Sequence, residues 1–217
     1  MSDPHAPLFP ATPSVPTTAL EPLESVTLTG ERVRLEPLGP EHVEGLQEAV
    51  ADGEIWRIPF APHVPAPAAM EEAVRGHLDS AARGLSVPWA VVDRRGEQER
   101  VVGLTTYMNI ARTDRGLELG NTFLAGSTHG TGVNAEMKLL LLEHAFETVG
   151  CVRVEFRVHS LNAASRRAVE RLGATPEGIL RNHRILPDGT VRHTAVYSIL
   201  LGEWPGIRRA LEHRIGR

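Results

Sequence analysis

The sequence is nearly without cysteine and lysine, and each shortage excludes a kind of chemistry. Cys151 is the single cysteine of 217 residues, so the chain cannot form an internal disulfide. Its place at the start of an apolar strand predicts a buried small side chain and not a nucleophile. Lys138 is the single lysine, and it does not directly follow a glycine-rich loop. A P-loop needs a lysine at that place, so a nucleotide-clamping P-loop is excluded.

Long apolar runs and metal-ligand patterns are also missing. No uninterrupted apolar segment has the length of a membrane span. The sequence has no HExxH pattern, and His129, His144 and His159 are predicted on a loop, a helix and a strand end, so we expect no metal. A formal net charge of −4 argues against nucleic acid as a partner. We therefore expect a cytoplasmic protein without metal, nucleic acid or membrane partners.

Proline is concentrated at the N-terminus and marks a boundary there. The first 24 residues contain six of the 16 prolines and hardly any periodic apolar pattern. Such a segment cannot bury enough surface to offset its ordering entropy, and it lacks the basic and apolar regions of a secretory signal. We predict a flexible extension over residues 1–25 and a single domain over residues 26–217.

Hydrophobic periodicity predicts an α+β fold. Helices are expected from residue 40 to about 50 and over 68–83, 135–149 and 163–172. Strands are expected over 33–36, 89–92, 101–105, 117–124, 152–158, 178–186 and 192–200, with an antiparallel meander formed by the second to fourth of them. The proline- and aromatic-rich stretch 55–67, with Trp56 and Phe60, is predicted as a loop.

A glycine-rich loop precedes the third predicted helix. Gly130 and Gly132 let a ligand approach the main chain, and free N–H groups of the first helical turn favour an anion. From this segment alone, a simple tight turn is the favoured interpretation. A dinucleotide-binding fingerprint fits poorly, because Glu155 lies in mid-strand and no series of βαβ units surrounds it.

The motifs that follow identify a family resemblance. After the loop and helix come the strand 152–158, the run Asn162-Ala163-Ala164-Ser165, a short helix and Gly173. In this order they resemble the GNAT superfamily of acyl-CoA-dependent N-acyltransferases. Segments 177–181, 187–190 and 197–204 resemble the branch of ribosomal-protein alanine and serine N-terminal acetyltransferases. The resemblance covers about residues 29–204 and implies a mixed, mostly antiparallel sheet flanked by helices, with splayed fourth and fifth strands.

The resemblance implies acetyl-CoA as the cosubstrate and assigns residues to it. The main chain of Phe123, Leu124 and Ala125 is implied to pair with the pantetheine arm. The pyrophosphate cradle is implied to consist of His129, Gly130, Thr131, Gly132, Val133 and Asn134. Asn162 is implied to hydrogen-bond the cofactor arm, and its alternative is an ordinary helix N-cap.

The catalytic groups depart from the pattern of the family. In many members, a tyrosine seven residues beyond the asparagine that corresponds to Asn162 acts as the general acid, and that position is Val169 here. We take Ser165 as its replacement near the thioester sulfur. Some members have a glutamate base at the position of Arg157, so we take Glu118 as the candidate general base here. The alternative is that Glu118 is an ordinary strand residue that faces solvent. An α-amine has a lower reference pKa than lysine, so a site without a strong base favours an α-amine.

The sequence therefore predicts an acetyl-CoA-dependent N-acetyltransferase. We expect direct attack of a protein or peptide N-terminal α-amine on the thioester in a ternary complex. The alternatives are transfer to a small-molecule amine, such as an antibiotic, polyamine or amino acid, and a non-catalytic acyl-CoA-binding module. A homodimer is left open. The loop 55–67 is predicted to line the acceptor pocket, with plain packing as the alternative for Trp56.

Overall fold

Eight strands form one sheet in the computed structural model, which describes residues 15–186 and 188–216. The strands are β1 Leu28–Thr29, β2 Val33–Pro37, β3 Ser86–Asp93, β4 Arg100–Ala111, β5 Gly116–Leu124, β6 Arg153–His159, β7 Thr175–Ile185 and β8 Val191–Leu200. The helices are α1 Val43–Ala51, α2 Met70–Ala82, α3 Val133–Glu143, α4 Ala163–Glu170 and α5 Trp204–Ile215. The order β1-β2-β3-β4-β5-β6-β8-β7 is antiparallel throughout, except that β5 and β6 run parallel. The predicted α+β fold with a mixed, mostly antiparallel sheet is confirmed.

The sheet separates two apolar cores because side chains alternate across it. Trp89 and Val91 of β3 belong to the larger core, which α3 and α5 cover, while Ala90 between them belongs to the smaller one. The smaller core lies under α1 and α2 and contains Leu46 and Val74. This alternation is the period-2 pattern of a strand that is buried on both faces.

The pairing between β5 and β6 ends halfway along β5. Three pairs join the two strands, the last being Glu118 with Glu155. Beyond it β5 continues to Leu124 while paired with β4 alone among the described residues. The strands therefore splay apart, as predicted for the fourth and fifth strands of the family, which are β5 and β6 here because the two-residue β1 precedes them.

A β-bulge marks the start of the splayed segment. The β4–β5 register shifts between Leu104 and Thr106, and Asn121 opposite them has a positive φ of 45°. Asparagine tolerates this left-handed conformation better than most residues. A bulge of this kind bends the strand, which turns the end of β5 away from β6.

The start of α3 and the helix content of the C-terminus differ from the predictions. Helix α3 begins at Val133, two residues before the predicted start, because Gly132 at φ 89° lets the chain enter the helix directly. The sequence analysis also assigned no helix to the C-terminus, whereas α5 spans Trp204–Ile215 and buries Trp204, Ile207 and Leu211 against α3. Their spacing of three and four residues is the signal that was not used.

The described part of the predicted N-terminal extension contacts the sheet. Residues 1–14 lie outside the described residues. Leu20 is buried in the larger core, and its N–H donates to the carbonyl of Arg112 at 3.0 Å. The Nε of Arg112 donates back to the carbonyl of Leu20 at 2.6 Å. The boundary at residue 25 stays a prediction. Among the described residues, none of the helices combines the length and apolar character that crossing a bilayer requires.

Candidate active site

The loop before α3 presents unpaired main-chain N–H groups. Gly130 and Gly132 have φ angles of 76° and 89°, and a Cβ atom added at Gly130 would have open space around it. The N–H of Glu136 donates to the carbonyl of Gly132 at 3.0 Å, but those of residues 133–135 have no partner among the described residues. With the positive end of the α3 dipole, these groups are suited to bind an anion. The geometry fits a pyrophosphate.

The other predicted cradle residues lie in this same loop. His129 is exposed and Asn134 is half-buried, whereas Val133 is fully buried and offers only its N–H. The Thr131 hydroxyl donates to the carbonyl of Thr128 at 2.5 Å, so it holds the loop closed. The loop shape therefore depends on internal contacts, and His129 projects from it.

Two arginines flank the cradle, and the sequence analysis missed both. The Cδ of Arg32 would lie 3.7 Å from a Cβ at Gly132, and its Nη1 donates to the carbonyl of Ile215 at 2.7 Å. Arg100 donates through Nη2 to the hydroxyl of Ser127 at 3.0 Å. Arg32 directly precedes β2 and Arg100 begins β4, both far away in sequence, so no local spacing indicates them.

Phe123, Leu124 and Ala125 end the splayed edge of β5. All three side chains are buried, and the N–H of Ala125 donates to the carbonyl of Val102 at 2.8 Å. On the β6 side, His63 Nε2 lies 3.4 Å from the carbonyl of Thr122, and it makes the only hydrogen bond to the main chain of the splayed segment from that side among the described residues. Peptide groups on this edge are therefore open to an extended ligand with amides of its own, such as a pantetheine arm.

A cleft of about 310 Å³ opens beside the splayed strands. Glu118 from one predicted segment and Asn162 and Ser165 from another all line it. Phe60 of the loop 55–67 also lines it, with its ring centroid 5.1 Å from that of His159. Trp56 does not line the cleft. It packs against the smaller core with the Arg57 guanidinium 4.8 Å above its ring, which is the packing role.

Glu118 is buried in the cleft wall and does not face open solvent. It is 6% exposed, and its Oε2 accepts from Asn109 Nδ2 at 2.6 Å and lies 3.6 Å from Arg157 Nε. Burial raises the pKa of Glu118, while Asn109 and Arg157 act against that rise. Gly120 leaves room for the carboxylate, because a Cβ there would come within 3.1 Å of it. A carboxylate with a raised pKa is suited to accept a proton near neutrality.

Asn162 caps α4, and its amide nitrogen remains available. Its Oδ1 accepts from the N–H of Ser165 at 3.0 Å, so the N-cap role is real. Its Nδ2 has no partner among the described residues, so the same side chain can also donate to a ligand in the cleft. The cap fixes the first turn of α4 and thereby the position of Ser165 at the cleft.

Neither tyrosine of the chain can serve as an acid in the cleft. The Tyr107 hydroxyl donates to the carbonyl of Leu141 within the core, and Tyr197 bonds Arg166 and Glu170. Val169, at the position of the tyrosine of the family, is buried in the larger core. Ser165 and Thr194 are the hydroxyl residues that line the described cleft, and the Thr194 hydroxyl already contacts His183 and Arg192.

The cleft also contains basic residues that the sequence analysis did not assign to the site. They are His63, His159, His183, Arg157, Arg184 and Arg192. His159 was considered only as a strand-end or capping residue, and its Nδ1 does accept from the N–H of Leu161 at 3.2 Å. These residues belong to a loop and three strands, so no sequence spacing connects them. Among the described residues, no group of His, Cys, Asp and Glu is arranged to hold a metal ion.

Comparison with known proteins places the chain in a family. A model of the acetyltransferase (GNAT) domain matches residues 32–175. A T. thermophilus protein whose crystal structure is described as that of a putative acetyltransferase is 39% identical, with 89% of this chain and 98% of that chain covered and a TM-score of 0.74. A GCN5-related N-acetyltransferase from Brucella melitensis is 28% identical, covers 92% and 89% of the two chains, and has a TM-score of 0.79.

Among curated proteins, the comparison found no match. The domain match covers more than half of the chain, and it agrees with the splayed strands, the cradle and the adjoining cleft. The chain therefore belongs to the GNAT acetyltransferases and is an acyltransferase of that family.

Proposed function

We propose that this protein transfers the acetyl group of acetyl-CoA to a primary amine, preferably the N-terminal α-amine of a protein or peptide. The observation that carries the proposal is the continuity of three features. The unpaired edge of β5 leads into the cradle at Gly130 and Gly132, and the cleft beside that edge contains Glu118 and Ser165. An extended acyl donor laid along this edge has its phosphates at one end and its reactive end at the cleft.

The solved structures of this fold support the choice of donor. Mycobacterium smegmatis RimJ was solved in complex with CoA-disulfide, and the microcin C7 self-immunity acetyltransferase MccE with acetyl-CoA and AMP. At 22% and 16% identity they share the fold with this chain and carry no conclusion about its acceptor. The residues on β5 and in the cradle are the ones that would hold the donor.

The residues of the cleft suit direct transfer without a covalent enzyme intermediate. Acetyl-CoA supplies an activated thioester carbonyl. Cys151 is fully buried outside the cleft, and burial raises its pKa to about 12, so it is not a nucleophile. Glu118 can accept a proton from the incoming ammonium at Oε, and the hydroxyl of Ser165 can donate toward the departing sulfur. Positioning by the cradle and the β5 edge supplies the rest of the rate enhancement.

The preference for an α-amine follows from acid–base chemistry and the family branch. The reference pKa of an α-amine is about 7.7–8.0, against about 10.4 for lysine, so a weak base suffices to deprotonate it. A Vibrio cholerae protein whose structure is described as that of a putative ribosomal-protein-serine acetyltransferase shares the fold at 16% identity, so that likeness adds no argument about the acceptor. The preference rests on the sequence resemblance and on Glu118.

A small-molecule amine is the second candidate acceptor. The cleft volume of about 310 Å³ is near the lower end of ordinary ligand pockets, so a small amine would fill it. A peptide would insert only its first residue or two. The two candidates therefore differ in how much of the acceptor lies outside the cleft: most of a peptide, but little of a small amine.

The test is an acceptor screen with purified protein and acetyl-CoA. Matched peptides with a free or a formylated N-terminus, a lysine side-chain amine and a polyamine are compared by thiol release and mass spectrometry. We expect acetylation of the free N-terminus and none of the formylated peptide. Acetylation confined to the polyamine or to lysine would contradict the α-amine preference, and CoA binding without transfer to any amine would contradict the proposed activity.

A further inference from the structure

Two arginines stand opposite each other in the cleft without a carboxylate partner. Arg184 of β7 and Arg192 of β8 are directly paired in the antiparallel register, and both line the cleft. Arg192 donates through Nε to the Thr194 hydroxyl at 3.1 Å and through Nη2 to the carbonyl of Arg157 at 3.4 Å. Within the described residues, neither Arg184 nor Arg192 has a carboxylate within 4.0 Å.

Like charges placed opposite each other on neighbouring strands destabilise the pair. The pKa of Arg192 is lowered, first by burial and then by the charge of Arg184. The same field reaches the histidines of the cleft. The pKa values of His159 and His183 are lowered by desolvation and by neighbouring cationic groups, Arg192 being one of them in each case. The cleft therefore has a positive end without a carboxylate in direct contact among the described residues.

The third arginine of the cleft, Arg157, does have carboxylate partners. Arg157 Nε contacts the carboxylate of Glu155 and lies 3.6 Å from that of Glu118. Glu118 affects Arg184 and Arg192 only through space, beyond salt-bridge distance. The cleft is thus dipolar, with a carboxylate at Glu118 and, at Arg184 and Arg192, two guanidinium groups without a carboxylate partner among the described residues.

We propose that the acceptor carries an anionic group, a carboxylate or a phosphate, that binds to Arg184 and Arg192 while its amine lies at Glu118. The inference rests on the proposed function and names its substrate class, which is a peptide with an acidic residue next to its N-terminal residue. Planar guanidinium groups donate paired hydrogen bonds to carboxylate and phosphate oxygens, and an anion removes the repulsion between the two arginines.

The test compares peptides that differ only at their second residue, which is Glu, Gln, Lys or phosphoserine. We expect kcat/KM for the Glu peptide to exceed that for the Gln peptide about tenfold or more, with Lys the poorest. The phosphoserine arm distinguishes a phosphate from a carboxylate as the preferred anion. Arg192→Gln and Arg184→Gln should each bring the ratio of kcat/KM for the Glu peptide to that for the Gln peptide close to one. Arg209→Gln, at an exposed position of α5, is the matched control.

Two further measurements separate this inference from a structural role and from the proposed function. The double variant R184Q/R192Q should unfold at the same or a higher temperature than the wild type, because a repulsive pair is removed. Its affinity for CoA should be unchanged. Equal kcat/KM for the Glu and Gln peptides, or a loss of CoA affinity in place of the peptide preference, would overturn the inference.

If no amine is acetylated, calorimetry with the Glu peptide in the presence of CoA still decides whether the anion site exists. Binding by the wild type that the double variant loses supports the site without the activity. Equal binding by both proteins, or binding by neither, overturns it.

Discussion

Lys138 Nζ lies 3.1 Å from the hydroxyl oxygen of Thr122, a residue of the β5 segment that has no partner on β6. The Thr122 hydroxyl in turn lies 2.8 Å from that of Thr105, and the Phe156 ring centroid lies 5.8 Å from Nζ. Lys138 is 6% exposed and has no carboxylate partner among the described residues. The only lysine of the chain is therefore buried against hydroxyl groups at the splay, and burial lowers its pKa to about 7.

The buried lysine should make stability depend on pH. Its pKa is about 7 in the folded state and near 10.5 in the unfolded chain, so the unfolded chain binds more protons between these values. Stability contributed at this site should therefore rise with pH from about 7, by at most about 1.4 kcal/mol per pH unit. Urea unfolding of the wild type and Lys138→Met at pH 7, 8 and 9 measures the difference, with Met137→Leu as control. Parallel curves for the wild type and K138M would contradict the burial of a titrating amine.

The cradle predicts a selective effect of a side chain at Gly132. Gly132→Val should lower CoA affinity about tenfold or more, because a branched side chain blocks close approach to the N–H groups of α3. The positive φ of 89° should also cost about 1–2 kcal/mol of stability. Gly84→Val is the matched control, since Gly84 has a φ of 68° and open space but lies in the turn after α2. Calorimetry showing equal CoA affinity for both variants would remove this loop from the cofactor site.

The environment of Glu118 predicts the acidic limb of the pH–rate profile. Because burial raises the pKa of Glu118, kcat/KM should fall as the pH drops through a value above the ordinary 4.5. Glu118→Gln should abolish that limb and lower kcat about a hundredfold, the lower end of the usual contribution of a general base. An unchanged limb in the variant would return Glu118 to a structural role.

Asn109 provides a second test of the same base. Its hydrogen bond favours the ionised form of Glu118, so Asn109→Gly should move the acidic limb to higher pH. Glycine adopts the φ of 47° at this position without strain, which keeps the β4 backbone unchanged. The plateau rate at high pH should be retained. A limb that moves to lower pH would mean that another group titrates.

Variants of Ser165 and Asn162 distinguish a role in catalysis or cofactor binding from a role in capping α4. Ser165→Ala should lower kcat about tenfold with little change in acetyl-CoA affinity, since one hydrogen bond to the developing thiolate is lost. Asn162→Asp keeps an oxygen that accepts from the Ser165 N–H, whereas Asn162→Ala loses it and should cost about 1 kcal/mol of stability. Both Asn162 variants should weaken CoA binding if Nδ2 contacts the cofactor arm. Thermal unfolding and calorimetry check these outcomes, and an unchanged kcat in S165A removes Ser165 from the mechanism.

The sequence by itself determined the order of the elements from β2 to β8, the glycine-rich loop before α3 and the capping of α4, because their signals are local. Gly132 marks the entry to α3 and Asn162 marks the entry to α4, and each acts on residues within one turn. Glycine, asparagine and hydrophobic periodicity constrain the backbone wherever they occur, so such features can be read one segment at a time.

Only the tertiary structure decided what the cleft is made of. Asn109 reaches Glu118 because two strands pair with an irregular register, and Arg184 faces Arg192 because β7 and β8 pair after a shift of their own. A shift of one residue in such a register moves a side chain to the other face of the sheet. Burial then determines protonation, as at Glu118 and Lys138, and burial depends on every element that packs around the group.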